Sequence, residues 1–312
     1  MQGYQKRRLG EVVTNNRYLS VNTDTGAGWW TIGVSETVPE GVPVAVHCES
    51  VDLVCFRDND GIAHTLLDQC VHRRAPLSLG KIAPEGWVEC PYHGWRYDGS
   101  NGRCMEVPNL SSAERVPSSY RVPVYTTVER DGFIHVWSVG DEAPSVDAPA
   151  LKCGSLGVES ELTSLIAYPG DALIDLLLDA PGAVLDLGRL RVINEHRFGD
   201  PVRSENELSV TYAVVDETTE PGILVSEYPY RLQIRFDCVY SSAVATLVSE
   251  DGATTARAVM AFLPVKKALC RVSLRGSQVA NADDPSAIAI GLQAAIDPQI
   301  ALNTVDYVSR LR

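Results

Sequence analysis

Several absences bound this chain before any motif is read. No apolar run in its 312 residues approaches the roughly 20 needed for a bilayer-spanning helix, so no helical membrane anchor is expected. No hydrophobic stretch follows the basic residues between Met1 and Val13, so nothing there reads as a secretory leader and a cytoplasmic location is expected. Basic residues are scarce: 27 Lys and Arg stand against 40 Asp and Glu, a formal net charge of −13. Phosphate backbones require a cationic surface, and a nucleic-acid partner is therefore not expected. Polar low-complexity tracts are missing as well. With 45% hydrophobic and 21% charged residues, the composition is that of a chain that folds throughout.

This length allows two domains, each able to bury its own core. From Trp29 to Trp137 the chain reads as short strands, among them Val42–His47, Val51–Arg57, Ile62–Leu67 and Phe133–Ser138. Turn signals such as Asp58-Asn59-Asp60-Gly61 and Asp98-Gly99 separate them. A Gly, Asp, Glu, Pro and Ala-rich connection between Val139 and Ala150 marks a boundary, giving an all-β domain over 1–140, with an N-terminal extension, and a second domain over 151–312. The second half opens on a helical pattern, roughly Asp171 to Gly188, interrupted by Pro181-Gly182. Alternating segments follow at Leu208–Val215, Tyr230–Tyr240, Val244–Val248, Thr255–Leu263 and Ala268–Arg275. A final helix is predicted from about Pro285 to Leu311, with Ile288, Leu292, Ala295, Ile296, Ile300 and Val308 inward. Strands closed by a long terminal helix describe an α+β sandwich.

The chemistry concentrates in two pairs, Cys70-Val71-His72 and Cys90-Pro91-Tyr92-His93. In a reducing compartment, spaced Cys and His pairs more often mean metal than disulfide. Two thiolates and two imidazoles suit a tetrahedral zinc, or a [2Fe–2S] cluster with thiolates on one iron and imidazoles on the other, and spacing alone leaves both open. The surroundings are more specific. Cys70-Val71-His72-Arg73-Arg74-Ala75-Pro76-Leu77-Ser78-Leu79-Gly80 and Cys90-Pro91-Tyr92-His93-Gly94-Trp95-Arg96-Tyr97-Asp98 resemble the two ligand loops of the Rieske non-haem iron oxygenases almost residue for residue. Gly28-Trp29-Trp30, Phe56-Arg57-Asp58 and Pro108 extend the likeness over most of the first half. One departure is Arg74, where the family usually has Gly.

The resemblance implies that Cys70, His72, Cys90 and His93 hold a Rieske [2Fe–2S] cluster. Imidazoles in place of two thiolates reduce its anionic charge and lift its potential above the roughly −400 mV of plant-type ferredoxins, so a ferredoxin or flavin reductase is the expected donor. Neither loop carries a further cysteine, unlike the disulfide-stapled Rieske proteins of respiratory complexes. Arg73, Arg74, Lys81 and Arg96 surround the pairs, with Asp141, Glu142 and Asp147 beyond. They form either a basic rim that steers an acidic partner or an ordinary solvated surface. His47, His64 and His135 have no partner at ligand spacing, and Cys48, Cys55, Cys104, Cys153, Cys238 and Cys270 read as buried thiols.

For the second half the resemblance implies a helix-grip (START/Bet v 1-like) domain with a mononuclear iron on a 2-His-1-carboxylate triad. The family's Asp, followed three residues on by one His and four or five further by another, maps onto Asp179, Gly182 and Asp186 or Leu187, so both imidazoles are absent. Asp297 stands where the carboxylate ligand belongs, and His196 is the half's single histidine. The expectation is an electron-transfer and scaffold subunit without its own mononuclear Fe(II). It would serve a homologous oxygenase subunit bearing an intact triad, in a head-to-tail trimer or mixed hexamer where Asp179 acts as the inter-subunit acid. The alternatives are a self-sufficient oxygenase with an unusual site drawn from Asp175, Asp179, Asp186, His196 and Asp297, and a redox-responsive small-ligand-binding protein.

Overall fold

A computed structural model describes residues 27–48, 51–111, 114–216, 218, 228–279 and 288–291. The first half is built of short antiparallel strands: β1 (Trp29–Val34), β2 (Val44–Cys48), β3 (Val51–Arg57), β4 (Ala63–Leu67), β5 (Lys81–Ile82) and β6 (Val88–Glu89). They are followed by β7 (Arg96–Tyr97), β8 (Cys104–Glu106), β9 (Val124–Tyr125), β10 (Thr127–Arg130) and β11 (Phe133–Trp137). Three sheets result, in the orders β1-β11-β10, β2-β3-β4-β9 and β5-β6-β7-β8. The strands predicted at Val51–Arg57 and Phe133–Ser138 lie where their alternating β-branched and aromatic residues put them.

The second half carries β12 (Gly157–Ile166), α1 (Gly170–Asp179), β13 (Leu185–Asp186), β14 (Leu190–Arg197), β15 (Val202–Arg203) and β16 (Glu207–Asp216). Then come β17 (Tyr230–Asp237), β18 (Ser242–Ser249), β19 (Thr254–Lys266), β20 (Leu269–Val279) and β21 (Ala289–Ile290). An eight-stranded antiparallel sheet runs β12-β20-β19-β18-β17-β16-β14, with β15 on the edge of β16. Its logic is visible in β17, where Leu232, Ile234 and Phe236 are buried and Arg231, Gln233 and Arg235 exposed, the period-two pattern of a sheet with one face on a core. Helix α1 lays Leu173, Leu177 and Leu178 onto that face, in one cluster with Tyr212, Leu232 and Met260.

Three expectations change. The helix predicted to Gly188 ends at Asp179: Pro181 has no N–H to continue the ladder, and the last helical bond, from Ala180 N–H to the Leu176 carbonyl, is 2.8 Å. Pro181–Ala183 form a single 3₁₀ turn, and Leu185–Asp186 a strand. Strand β12 was not foreseen, because its exposed polar residues dilute the alternation. Within the predicted terminal helix, Ala289–Ile290 are instead a strand paired with Leu185–Asp186; the rest of that helix, and Asp297, lie outside the described residues.

The halves pack on each other. Val34 and Phe133 share a cluster with Leu151, Val259 and Ala261, and the Arg271 guanidinium of β20 donates to the Ile32 carbonyl of β1 at 3.0 Å. Among the described residues no helix is long and apolar enough to cross a membrane.

Candidate redox centre and the second-half pocket

The first Cys/His pair follows β4 and the second joins β6 to β7, and the two loops fold alike. Cys70 N–H donates to the Ala75 carbonyl at 2.9 Å and Cys90 N–H to that of Trp95 at 2.8 Å. Arg74 N–H returns to the Cys70 carbonyl at 2.8 Å and Gly94 N–H to that of Cys90 at 3.1 Å. Each loop therefore closes on its cysteine, and each needs a left-handed residue at the closing position: Gly94 at φ 71° and Arg74 at φ 58°. Gly94 adopts it at no steric cost, whereas an arginine there carries strain of order 1 kcal/mol.

Both loops are clamped at their bases. The Asp68 carboxylate accepts from Ser78 N–H at 2.7 Å and from the Ser78 hydroxyl at 2.5 Å. Across β6 and β7, Arg96 donates to Glu89 at 2.8 Å and to Glu106 at 2.7 Å. The loops meet where Gly80 passes the Glu89 carbonyl, with which any Cβ at 80 would collide.

This frame sorts the four side chains. Cys70 and Cys90 are buried in a core with Phe56, Leu66, Leu77 and Val88, while His72 is exposed and His93 half-buried. The two thiols titrate as a pair: the Cys90 side chain beside Cys70 lowers one thiol of the pair and raises the other. The buried Tyr97 hydroxyl bonds the Cys70 sulfur at 3.1 Å, and burial pushes the phenol up, so it remains a proton donor. Outside, the His72 and His93 rings stand 4.6 Å apart between centroids. Trp95 stacks on His72 at 4.7 Å and 6° between planes, and Tyr120 stacks on the far face of the array at 5.1 Å from Trp95. Sulfurs inside and imidazoles outside match the division of a two-iron cluster between thiolates and imidazoles. A single zinc would draw all four donors around one ion. Among the described residues no three His, Cys, Asp or Glu side chains converge in that way.

The other candidates have ordinary partners. His47 bonds Asp52, His64 bonds Asp58, and the buried His135 pairs with the Thr31 hydroxyl at 3.0 Å. None of the eight cysteines is in a disulfide, and Cys153 and Cys238 are only half-buried. The expected basic rim is smaller than the sequence suggests. Arg96 is bound by Glu85, Glu89 and Glu106, and Lys81 lies 3.2 Å from Glu89.

In the second half, Gly182 sits on the turn after α1 and its N–H donates to the Asn194 amide oxygen at 3.3 Å. Leu187 is 2% exposed, inside the main core. Asp186 is exposed and accepts from Gly188 N–H at 2.9 Å. These residues border a cavity of about 600 Å³ that Arg191, Asn194 and Glu195 also line. Asp179, at the end of α1, is paired with Arg197 at 2.8 Å; Arg197 also donates to the Tyr212 hydroxyl, which donates to the Leu178 carbonyl. His196 bonds the Tyr228 hydroxyl at 2.6 Å. Asp175 has a buried oxygen without a hydrogen-bond partner, and burial raises its carboxyl above the usual range. Among the described residues no three His, Cys, Asp or Glu side chains, Asp175, Asp179, Asp186 and His196 included, form a metal-holding group, and Asp297 lies outside the described residues. Sequence reasoning missed Asp68 and gave no role to Trp95, Tyr97 or Arg197, whose parts depend on tertiary contacts.

Fold and loops together define a two-loop Cys/His domain of the kind that holds an iron–sulfur cluster. Residues 28–126 match the model of the Rieske [2Fe-2S] domain, so the first half is a Rieske domain, for which a [2Fe–2S] cluster is implied. The chain is homologous to the Rieske non-haem iron oxygenases. It is 38% identical over 236 residues to the oxygenase component of 3-ketosteroid-9-alpha-monooxygenase from Rhodococcus rhodochrous, covering 71% of this chain and 60% of that protein. It is 32% identical over 179 residues to chloroplastic chlorophyllide a oxygenase from Chlamydomonas reinhardtii, covering 55% and 27%. The chain thus spans between about a quarter and three fifths of these relatives' lengths. The fold is that of apo dicamba monooxygenase, with a TM-score of 0.63 at 23% identity over 83% of this chain and 78% of that one.

Proposed function

We propose that this chain is the electron-transfer and scaffold component of a Rieske-type oxygenase, with Cys70, His72, Cys90 and His93 as the cluster ligands. When bound, the cluster accepts and releases single electrons at a potential raised by its imidazole ligands. The protein's own part is to bury the thiolate end, to hold a hydrogen bond on Cys70 through Tyr97, and to fix the His72 ring with Trp95 at the exposed end. The donor is a ferredoxin or flavin reductase. The acceptor is the mononuclear iron of a homologous subunit with an intact triad, acting on a small organic substrate in a head-to-tail trimer or mixed hexamer, with the assembly in the cytoplasm.

One observation carries this reading: the first half gathers four donors, whereas the second-half positions that the resemblance assigns to the imidazoles hold Gly182, which has no side chain, and either the exposed Asp186 or the buried Leu187. Ferrous iron that activates oxygen requires imidazoles to fix it and open positions beside them. The domain shares the oxygenase fold, and a fold without site residues does not confer the activity. A second reading, a self-sufficient oxygenase, draws support from the 236-residue match, which is longer than the Rieske segment. Oxygen uptake separates the two. The reduced protein alone is expected to show no substrate-dependent consumption, and activity with a triad-bearing partner is expected to be lost in Cys70→Ser. Turnover by this chain alone would overturn the proposal.

A further inference from the structure

The two halves meet along β20, and the seam between them is polar. Successive residues of that strand serve opposite faces: Cys270, Val272 and Leu274 join the second-half core, while Arg271, Ser273 and Arg275 alternate with them and turn to the first half. Arg275 donates to the Gly132 carbonyl at 3.4 Å in the turn between β10 and β11, where any Cβ on Gly132 would collide with its guanidinium. Val34 N–H of β1 donates across the seam to the Thr163 hydroxyl at 3.2 Å, and that hydroxyl donates to Ser273 at 3.3 Å. At one end of this seam a single cation is outnumbered. Arg275 lies 3.2 Å from Glu161, its register partner on β12, 3.9 Å from Glu159 of the same strand, and 3.9 Å from Glu36 in the turn after β1. Two of these carboxylates belong to the second half and one to the first. Neighbouring charges do not restore the balance: Asp131 sits 3.8 Å from Arg130, Arg257 is turned to the Cys153 carbonyl, and the exposed Lys152 lines a small cavity with Asp131 and Glu159. Burial and the Glu36 carboxyl beside it hold the Glu161 carboxyl above its usual range; Arg275 acts the other way and is outweighed.

We propose that this seam is a proton-linked latch between the halves, in which Glu36 and Glu161 repel each other when both are ionised and close on Arg275 when one of them takes up a proton. The proton comes from solvent and no other bond breaks. It turns a repulsion into a hydrogen bond and leaves the guanidinium facing two carboxylates instead of three. Domain interfaces of this polar kind permit relative motion, so the latch sets how tightly the Rieske half is held to the second. The sign follows from linkage. A carboxyl raised on folding contributes stability that is complete below its ordinary value of 4.5 and is lost as pH rises through its folded value. Near neutral pH the pair therefore opposes docking of the halves. Elsewhere the sign is reversed, because Glu129 beside Arg57 and Asp141 beside Arg121 are held low and lose stability as pH falls. Only a comparison of variants at one pH isolates the latch.

The test uses the full chain as purified and two readouts, the urea midpoint and amide hydrogen exchange of the peptide carrying Val34, whose N–H is bonded across the seam. At about pH 8, Glu36→Gln is expected to slow that exchange several-fold and to raise the midpoint above wild type; at about pH 5 the two proteins are expected to converge. Glu161→Gln is expected to behave in the same way, and the double variant to gain little over either single one, because the repulsion belongs to the pair. Glu40→Gln removes an equal charge from an exposed position on the same half and is expected to leave both readouts at their wild-type values. A Glu36→Gln protein that exchanges as fast as wild type at the higher pH overturns the proposal, as does a difference that persists undiminished at the lower one. A Glu40→Gln protein that matches Glu36→Gln also overturns it, since the effect would then belong to the net charge of −13 and not to the seam.

Discussion

The two Cys/His loops and the Asp179–Leu187 segment are both turns hung on sheets, and they treat their side chains in opposite ways. Each loop spends its backbone bonds, its base clamp and a left-handed residue on presenting a cysteine inward and a histidine outward. The second segment presents nothing comparable: Gly182 offers only its N–H to Asn194, Leu187 joins the core, and Asp179 is engaged by Arg197. The frames of both regions rest on buried apolar residues, so a frame persists whatever its tips carry. Family likeness therefore says more about the sheets than about the chemistry at their turns.

The largest effect that would break this comparison is loss of the cluster. Cys90→Ser removes a thiolate from inside the first-half core, and the purified variant is expected to lack the visible charge-transfer bands and most of its iron. A coloured Cys90→Ser protein with wild-type iron would place the cluster on other residues.

The next effect probes the second region. If Leu187 is a core residue, Leu187→His buries an imidazole at a site that is 2% exposed and is expected to destabilise the protein by about 2–5 kcal/mol in urea denaturation. A cost within about 0.5 kcal/mol, the range of surface changes, would mean that this position tolerates a polar ligand after all.

The smallest effect sharpens the first region. Tyr97→Phe removes the hydroxyl that bonds the Cys70 sulfur at 3.1 Å, a bond that stabilises the electron-richer, reduced cluster. At about 1 kcal/mol for one hydrogen bond, the one-electron midpoint potential is expected to fall by roughly 40 mV, with colour and stoichiometry retained. An unchanged potential in redox titration would remove Tyr97 from the account.

The sequence was informative where interactions are local and silent where they are not. The loops were legible because ligands, closing residues and flanks lie within a dozen positions, and Pro181 announced an interruption of α1. Its true end at Asp179, and the strand at Ala289–Ile290, were hidden because short apolar runs such as Ala287-Ile288-Ala289-Ile290 suit helix and strand alike, and only pairing with Leu185–Asp186 decides. The choice between a basic rim and an ordinary solvated surface was left open by the sequence because the neutralisation of Arg96 depends on Glu106 across a sheet. The pairing of Asp179 with Arg197 was hidden because nothing in its own helix foretells a partner eighteen residues on.

The central claim is that iron chemistry is confined to the first half, and an iron and sulfide count on protein purified without oxygen tests it most directly. The account predicts a red-brown protein with two irons and two acid-labile sulfides per chain. Three irons per chain, one of them removable by a chelator while both sulfides remain, would contradict it.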